Sequence, residues 1–184
     1  MPVVTRGGPA EFSARLSELV EVYRSAFLEV HERDPVRAAD ERRSFMQIHA
    51  IRADLVLATV DDDRGLAGFC YGYRGEPGQY WHDAVMRALP APDADHWFGS
   101  CREIAELHVR PDAQGLGLGR ALLRAALDGA AERSAALSVL DAADSPARHL
   151  YAAEGFAAVL PAFRFPGNSL SYAVMAKVLA PVSP

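Results

Sequence analysis

The chain is poor in cysteine and lacks any long apolar run. Only two of its 184 residues are cysteine, Cys70 and Cys101, and they do not share a C-x-x-C spacing. The absence of this spacing excludes the usual zinc and dithiol motifs, so we expect two buried free thiols and no metal site. No apolar run approaches the ~20 residues that span a bilayer, and the first residues lack the apolar centre of a signal peptide. We therefore expect a cytoplasmic protein without a membrane partner.

An excess of positive charge is also absent. The sequence has 19 Lys and Arg against 24 Asp and Glu, which gives a formal net charge of −5. This acidic balance argues against nucleic acid as a partner and fits a cationic amine substrate slightly better. The length is that of one domain covering residues 1–184, and a hydrophobic content of 50% is ordinary for a globular protein.

Residues 103–123, EIAELHVRPDAQGLGLGRALL, combine three local patterns in one segment. The first seven residues favour a β-strand, and a proline turn at 110–112 ends it. A helix-forming run follows at 120–127, after three alternate glycines between Gly115 and Gly119. A glycine-rich loop that opens a helix directs backbone N–H groups and the positive end of the helix dipole at one point. The segment therefore predicts a phosphate-binding loop.

Two common phosphate loops do not match these glycines. The dinucleotide fingerprint G-x-G-x-x-G needs glycine where Arg120 or Leu122 stands. The triphosphate loop needs G-K-[ST], but Gly119 is followed by Arg120 and Ala121. Asp141 stands 22 residues after Gly119, as in a dinucleotide-binding oxidoreductase, so that class remains a rival. An ordinary turn that uses glycine only for positive φ is the other alternative.

The spacing Q-x-x-G-x-G at Gln114, Gly117 and Gly119 resembles the acyl-CoA-binding signature Q/R-x-x-G-x-G/A of the GNAT superfamily of N-acyltransferases. A second stretch, from Asp144 to Phe156, resembles that family's N-x-x-A-x-x-L-Y-x-x-x-G-F pattern. The order of the predicted elements is similar as well. The resemblance covers nearly the whole chain and is sharpest between these two motifs.

The resemblance implies an α/β fold, the GNAT fold. Its mixed central sheet should have about six or seven strands, flanked by about four helices. An extra segment is expected between the third and fourth strands. The predicted strands are 2–6, 54–60, 66–73, 103–109, 136–140, 156–160 and 169–178, and the predicted helices are 11–30, 35–51, 79–89, 120–134 and 144–155.

The implied activity is N-acetyl transfer from acetyl-CoA to a primary amine of a small molecule or peptide, through a ternary complex and without a metal. A CoA-binding sensor of the same fold is the alternative. The fourth and fifth strands should separate so that the pantetheine arm lies between them. The residues implied in CoA binding are Leu107, His108, Val109, Gln114, Gly115, Leu116, Gly117, Leu118, Gly119 and Arg120.

Two residues of the second motif carry further expectations. Tyr151 stands where a family tyrosine often protonates the departing CoA thiolate, and a phenol with a pKa of about 10 suits that step. Its ring could instead anchor the core. Asp144 replaces the usual asparagine, and an ionised carboxylate only accepts hydrogen bonds. We therefore expect Asp144 to cap its helix, with its role in CoA binding left open.

Amine acetylation also needs a group that removes a proton from the ammonium. Glu103, Glu106 and His108 are the candidates, and strand alternation places Glu106 and His108 on one face and Glu103 on the other. Glu106 could bind the amine or act as base, and Glu103 remains beside it as the second candidate base. A backbone N–H near Val109 is the expected oxyanion donor.

The insertion at 74–100 is the least regular part of the sequence. Its aromatic residues could wall the acceptor pocket, with Trp81 and Trp97 binding the substrate through their ring faces. A small satellite core is an equally good alternative. The identity of the acceptor and the acyl length stay open, and family resemblance allows a homodimer.

Overall fold

A computed structural model describes residues 3–28, 34–142 and 144–179, except for the side chain of Leu28. The backbone forms two compact units. The first consists of residues 1–73 and 105–128, and the second of residues 74–104 and 129–184. One strand passes from the second unit into the first. The assignment of residues 1–184 to a single domain stays a prediction.

The first unit contains an antiparallel set of strands. These are β1 (Val4–Gly7), β2 (Val56–Asp62) and β3 (Gly65–Arg74), which continues one residue into the second unit. β2 and β3 form the predicted hairpin, closed by the pair Asp62 and Gly65. Gly65 has φ 100°, which a glycine adopts without strain. The end of β4 (Cys101–Val109) belongs to this unit, and the N–H of Arg110 after it donates to the Ala67 carbonyl of β3 at 2.8 Å.

Before β2, the helices of the first unit are α1 (Pro9–Ala14), α2 (Leu16–Tyr23), a π-helical turn (Arg24–Leu28) and α3 (Pro35–Ala50). The prediction of one continuous helix over 11–30 is wrong within the described residues, and its last residues lie outside them. The break is at Arg15, whose backbone leaves helical geometry with φ −101° and ψ 8°. Its guanidinium bonds Asp61 at the end of β2 at 2.5 and 2.9 Å. The helices cover a core on β2 and β3 that includes Phe12, Leu19, Met46, Leu57, Phe69 and Tyr71.

The second unit holds the insertion and the closing strands. Its elements are α4 (Tyr80–Ala88), α5 (Ala91–Phe98), the start of β4, β5 (Ser134–Leu140), α7 (Pro146–Ala153), β6 (Ala157–Phe163) and β7 (Tyr172–Val178). β4 and β5 are parallel and pair from Cys101 with Ser134 to Glu103 with Ala136, whereas β7 is antiparallel to both β5 and β6. The hydrogen-bonded order of the sheet is β1-β2-β3-β4-β5-β7-β6. The predicted mixed α/β class with seven strands is confirmed.

The described ranges contain seven α-helices instead of about four. One cause is the break at Arg15, and the other is the insertion, where a single helix was predicted. Leu89 is extended before Pro90, which ends α4. Pro92, at the start of α5, then suits a first helical turn because it has no N–H to satisfy.

The helix after the glycine loop, α6 (Leu118–Leu127), is shorter than predicted. The sequence favoured a helix to Ser134, but Asp128 is extended and Gly129 has φ 67°, so the chain turns there. Ser134 is instead the first residue of β5.

Both cysteines are buried free thiols, as predicted. Burial raises the pKa of Cys101 to about 12 and raises the pKa of Cys70 as well, so both thiols stay protonated. Among the described residues, no helix combines the length and apolarity needed to cross a membrane.

Candidate active site

The glycine loop lies in the first unit between β4 and α6. A short 3-10 turn (Pro111–Ala113) follows β4, and the chain then passes through Gly115 and Gly117 with φ of 78° and 79°. A Cβ built on either glycine would meet nothing within 4 Å. Glycine is therefore required by the left-handed backbone and not by crowding, and the space beside the loop is open to a ligand.

The start of α6 offers backbone donors to that space. Gly117 is the N-cap residue, and no side chain caps this helix within the described part of the chain. The first intrahelical bond is from Ala121 N–H to Gly117 O at 3.2 Å. The N–H groups of Leu118 and Gly119 precede it and have no acceptor within the helix. They and the helix dipole suit an anionic ligand such as pyrophosphate.

Side chains around the loop hold it against β2 and β3. Gln114 Nε2 donates to the Val109 carbonyl at 3.0 Å, so this polar residue ties the loop to the end of β4. Arg110 pairs with Asp112 at 2.7 Å and also bonds Asp62 of the β2–β3 hairpin. The loop is thereby fixed on the sheet before any ligand binds.

Glu106 lies on β4 between two basic side chains. Its carboxylate forms an ion pair with Arg42, whose Nη1 is 2.8 Å away, and accepts from His108 Nε2 at 2.8 Å; only 12% of the Glu106 side chain is exposed. The predicted common face of Glu106 and His108 is confirmed by this contact. Burial acts to raise the pKa of Glu106, but Arg42, His108 and His49 outweigh it, so the pKa is lowered. In return, Glu106 raises the pKa of Arg42.

The contact fixes the tautomer of His108. An ionised carboxylate can only accept a hydrogen bond, so Nε2 of His108 carries a proton and donates it to Glu106. The imidazole is held at ring distances of 4.7 Å from Tyr23 and 5.7 Å from Phe69, with the Phe27 ring 6.0 Å away. Its orientation is set by aromatic packing on one side and by the carboxylate on the other.

A second polar group, centred on His49 of α3, adjoins Glu106. Nδ1 of His49 lies 2.9 Å from the Tyr71 hydroxyl and Nε2 lies 3.2 Å from the Tyr73 hydroxyl. Burial lowers the pKa of His49 to about 4; Glu106 acts to raise it, while Arg52 and Arg42 lower it further. At neutral pH His49 is therefore an uncharged ring among charged groups.

Arg52 completes this group. It follows the C-terminus of α3, and its guanidinium lies 4.3 Å from the centre of the Tyr73 ring. Arg42, His49, Arg52, Tyr71 and Tyr73 were not singled out from the sequence. The only sequence signal for this group was a pair of tyrosines at alternate positions of one strand. The others could not be predicted, because the local sequence does not indicate which helix packs on that strand.

Five predicted site residues belong to the second unit: Glu103, Tyr151, Asp144, Trp81 and Trp97. Glu103 is buried, with 3% of its surface exposed, in the first half of β4. Tyr151 of α7 is also buried, and its ring centre lies 6.0 Å from that of Phe156. The prediction that Asp144 caps α7 is wrong, because the cap is Ser145, whose Oγ accepts from Arg148 N–H at 3.4 Å. Asp144 lies exposed in the preceding turn, so its short side chain stays available to solvent or ligand.

Trp81 and Trp97 pack on the apolar cluster of the second unit. Trp81 Nε1 donates to Ser138 Oγ at 3.3 Å, and its ring meets the buried Phe98 edge-on at 5.8 Å. Trp97 packs edge-on against His96 at 4.6 Å. These contacts are those of the satellite-core alternative, and binding of the acceptor by the two tryptophans stays a prediction.

Fold and loop together define a mixed α/β protein with a glycine-rich loop between its fourth strand and a helix. The family model described as the acetyltransferase (GNAT) family matches residues 16–156. The match spans most of the chain, and the protein belongs to this family.

Known relatives agree with this assignment. The chain is 29% identical over 195 aligned residues to the GCN5-like protein acetyltransferase Rv2170 of Mycobacterium tuberculosis, covering 93% of this chain and 95% of that protein. Among solved structures, it matches yncA of Salmonella typhimurium, solved with acetyl-CoA, at a TM-score of 0.65 and 17% identity over 100% of this chain and 97% of that one. It also matches the PaiA N-acetyltransferase of Thermoplasma acidophilum, in complex with coenzyme A, at 0.63 and 16% identity, covering 97% and 99%. At these identities the structural matches show the fold.

Proposed function

We propose that the protein transfers the acetyl group of acetyl-CoA to a primary amine of a small molecule or peptide. The observation that supports this most directly is the loop from Gly115 to the start of α6. Its two left-handed glycines, its open side and its uncapped helix start fit a pyrophosphate. Family membership supplies acetyl transfer as the reaction class.

In this proposal the backbone of Leu107–Val109 binds the pantetheine arm, and the N–H groups from Gly115 to Arg120 bind the pyrophosphate. The amine attacks the thioester carbonyl, a backbone N–H near Val109 stabilises the oxyanion, and the C–S bond then breaks. Tyr151 donates its proton to the leaving thiolate. The role of Asp144 is limited to a contact with CoA, since Ser145 already caps the helix.

Glu106 supports the acceptor side of the proposal. Its lowered pKa keeps the carboxylate ionised, which suits electrostatic binding of an ammonium group more than proton removal. We therefore assign amine binding to Glu106 and leave proton removal to Glu103 or to a water that either carboxylate holds. The pH dependence of kcat in Glu103→Gln and Glu106→Gln shows which carboxylate is the base. The variant that has lost the base should lack the acid limb of its pH profile, and the other variant should keep it.

The test combines binding and turnover in one sample. Melting temperature is measured with saturating acetyl-CoA, CoA or NAD, and thiol release is then followed across a panel of amines. Ligand at 100 times its Kd adds about 2.7 kcal/mol to the stability of the folded state. We expect a shift with acetyl-CoA and CoA, none with NAD, and thiol release with at least one amine.

A CoA-binding sensor is the second candidate. It is favoured by the pairing of both Glu106 oxygens, with Arg42 and His108, which leaves that carboxylate a weak base. The sensor predicts a CoA shift in melting temperature without thiol release from any amine. Absence of a shift with CoA would contradict both candidates.

A further inference from the structure

We infer that the acceptor of this enzyme carries an oxyanion, such as a carboxylate, close to its reactive amine, and that Arg52 binds that oxyanion. This inference rests on the proposed function and names the class of its substrate. An amino acid, or a peptide amine beside an acidic residue, belongs to this class. A polyamine does not.

The first observation is the state of the Arg52 guanidinium. It is held against the face of Tyr73 at 4.3 Å, and the N–H of Arg52 is fixed by the His49 carbonyl at 3.1 Å. Its Nε is buried and has no hydrogen-bond partner in the described ranges, and none of their carboxylates forms an ion pair with it. A buried donor without an acceptor is rare in native proteins. A stacked arginine with unused donors is a suitable partner for a planar carboxylate.

The second observation is the charge balance around His49. Arg42 is matched by Glu106 at 2.8 Å, and the other oxygen of Glu106 is bonded by His108. His49 is uncharged at neutral pH and so adds nothing to compensate Arg52. The charges of Glu106, Arg42 and Arg52 all act on the pKa of His49, so the three groups lie near the same ring. The positive charge of Arg52 is the one that this group leaves unbalanced.

The third observation is the order of the groups. Glu106 is an ionised carboxylate that pairs with Arg42, and Arg42 interacts with Tyr71, whose hydroxyl lies at Nδ1 of His49. Arg52 lies on Tyr73, whose hydroxyl is at the other ring nitrogen, Nε2. A zwitterionic acceptor would place its amine near Glu106 and its oxyanion at Arg52. A diamine of the same length would bring a second positive charge to an arginine, where like charges repel.

Three five-carbon probes test this inference with acetyl-CoA as donor. 5-Aminopentanoate, cadaverine and 5-aminopentan-1-ol share one primary amine and differ in the far group, which is negative, positive or neutral. Alanine and alaninamide form a second matched pair for an amine next to the carboxylate. We expect kcat/KM for the carboxylate member of either series to exceed its partners by about tenfold or more, through KM, as a charge-assisted hydrogen bond allows.

The variant Arg52→Gln should remove that preference by raising KM for the carboxylate probes. The matched control is Arg43→Gln in the preceding helix α3, where the Arg43 side chain donates to Ser17 Oγ at 3.2 Å. The control should keep the preference. An equal melting-temperature shift with acetyl-CoA in both variants shows that each is folded and binds the donor.

Equal or better turnover of cadaverine or alaninamide would overturn the inference while leaving the proposed function intact. If no probe is turned over, stabilisation of the acetyl-CoA-bound protein decides instead. Greater stabilisation by 5-aminopentanoate than by cadaverine, lost in Arg52→Gln, supports the inference, and no difference contradicts it. Absence of any acetyl-CoA shift overturns the proposed function and the inference together.

Discussion

Single residues of the first unit combine burial and charge in a way that makes stability depend on pH. His49 is uncharged in the folded protein down to a pH of about 4, because burial lowers its pKa from 6.5. The unfolded chain binds a proton at this residue below about pH 6.5. Between these values the unfolded state holds more protons, so stability falls as the pH is lowered.

We predict that His49→Gln weakens the pH dependence of the free energy of unfolding between pH 6.5 and 4.5. The loss of stability across this range should shrink by about 2 kcal/mol at most, after allowance for the partial exposure of His49. Urea unfolding at a series of pH values measures it. Glu106 acts in a lower window, since its pKa is lowered from 4.5 and its contribution is lost only below that value. The control is His149→Gln at an exposed site of α7, and an unchanged slope in His49→Gln would contradict the prediction.

A second residue prediction concerns Arg42. Its guanidinium holds Glu106 ionised, so Arg42→Met should raise the pKa of Glu106 toward its usual value. The acid limb of the kcat/KM profile should then move to higher pH. Arg37→Met, at an exposed position on the same helix, is the control. An unmoved acid limb would mean that ionisation of Glu106 does not enter the rate.

Among the elements, the glycine loop was the best predicted. Its strand and the start of its helix lie within two residues of their predicted positions, because proline, glycine and helix formers act locally. Less was predictable where an element depends on distant contacts. The break at Arg15 coincides with a bond to Asp61, 46 residues away, and α5 of the insertion was hidden in a proline-rich stretch.

The loop permits a prediction with an internal control. Gly117→Ala and Gly129→Ala each put a side chain on a left-handed residue, with φ of 79° and 67°, in open space. Each should cost about 1 kcal/mol in stability. Only Gly117→Ala should weaken the binding of acetyl-CoA, by about tenfold, because it adds a methyl group to the loop that is proposed to hold the pyrophosphate. Calorimetric titration of both variants measures this, and equal affinities would argue against that placement of the phosphate.

At the scale of the whole molecule, one domain was predicted and two compact units are seen. Both tryptophans, Trp81 and Trp97, belong to the second unit, whereas the glycine loop belongs to the first. Tryptophan fluorescence therefore reports on the unit that does not carry the loop. This separation makes cooperativity between the units measurable.

We predict that acetyl-CoA at 100 times its Kd raises the midpoint of unfolding by about 5–10 °C, by tryptophan fluorescence and by far-UV circular dichroism alike. One cooperative domain requires this agreement, because a ligand bound to one part then stabilises the whole. NAD serves as the control ligand. If acetyl-CoA shifts the unfolding midpoint measured by circular dichroism but not the midpoint measured by tryptophan fluorescence, the two units unfold separately.

The sequence by itself determined the mixed α/β class, the strand–loop–helix segment and the resemblance to acetyltransferases that the family match confirms. These features depend on residue types at short spacings, so the local sequence is enough to predict them. Only the tertiary structure decided the surroundings of β4. Arg42, His49 and Arg52 come from more than 50 residues before Glu106, yet they set its ionisation and the charge beside it. Electrostatic effects depend on distances through space, and those distances are fixed only when α3 packs on the sheet.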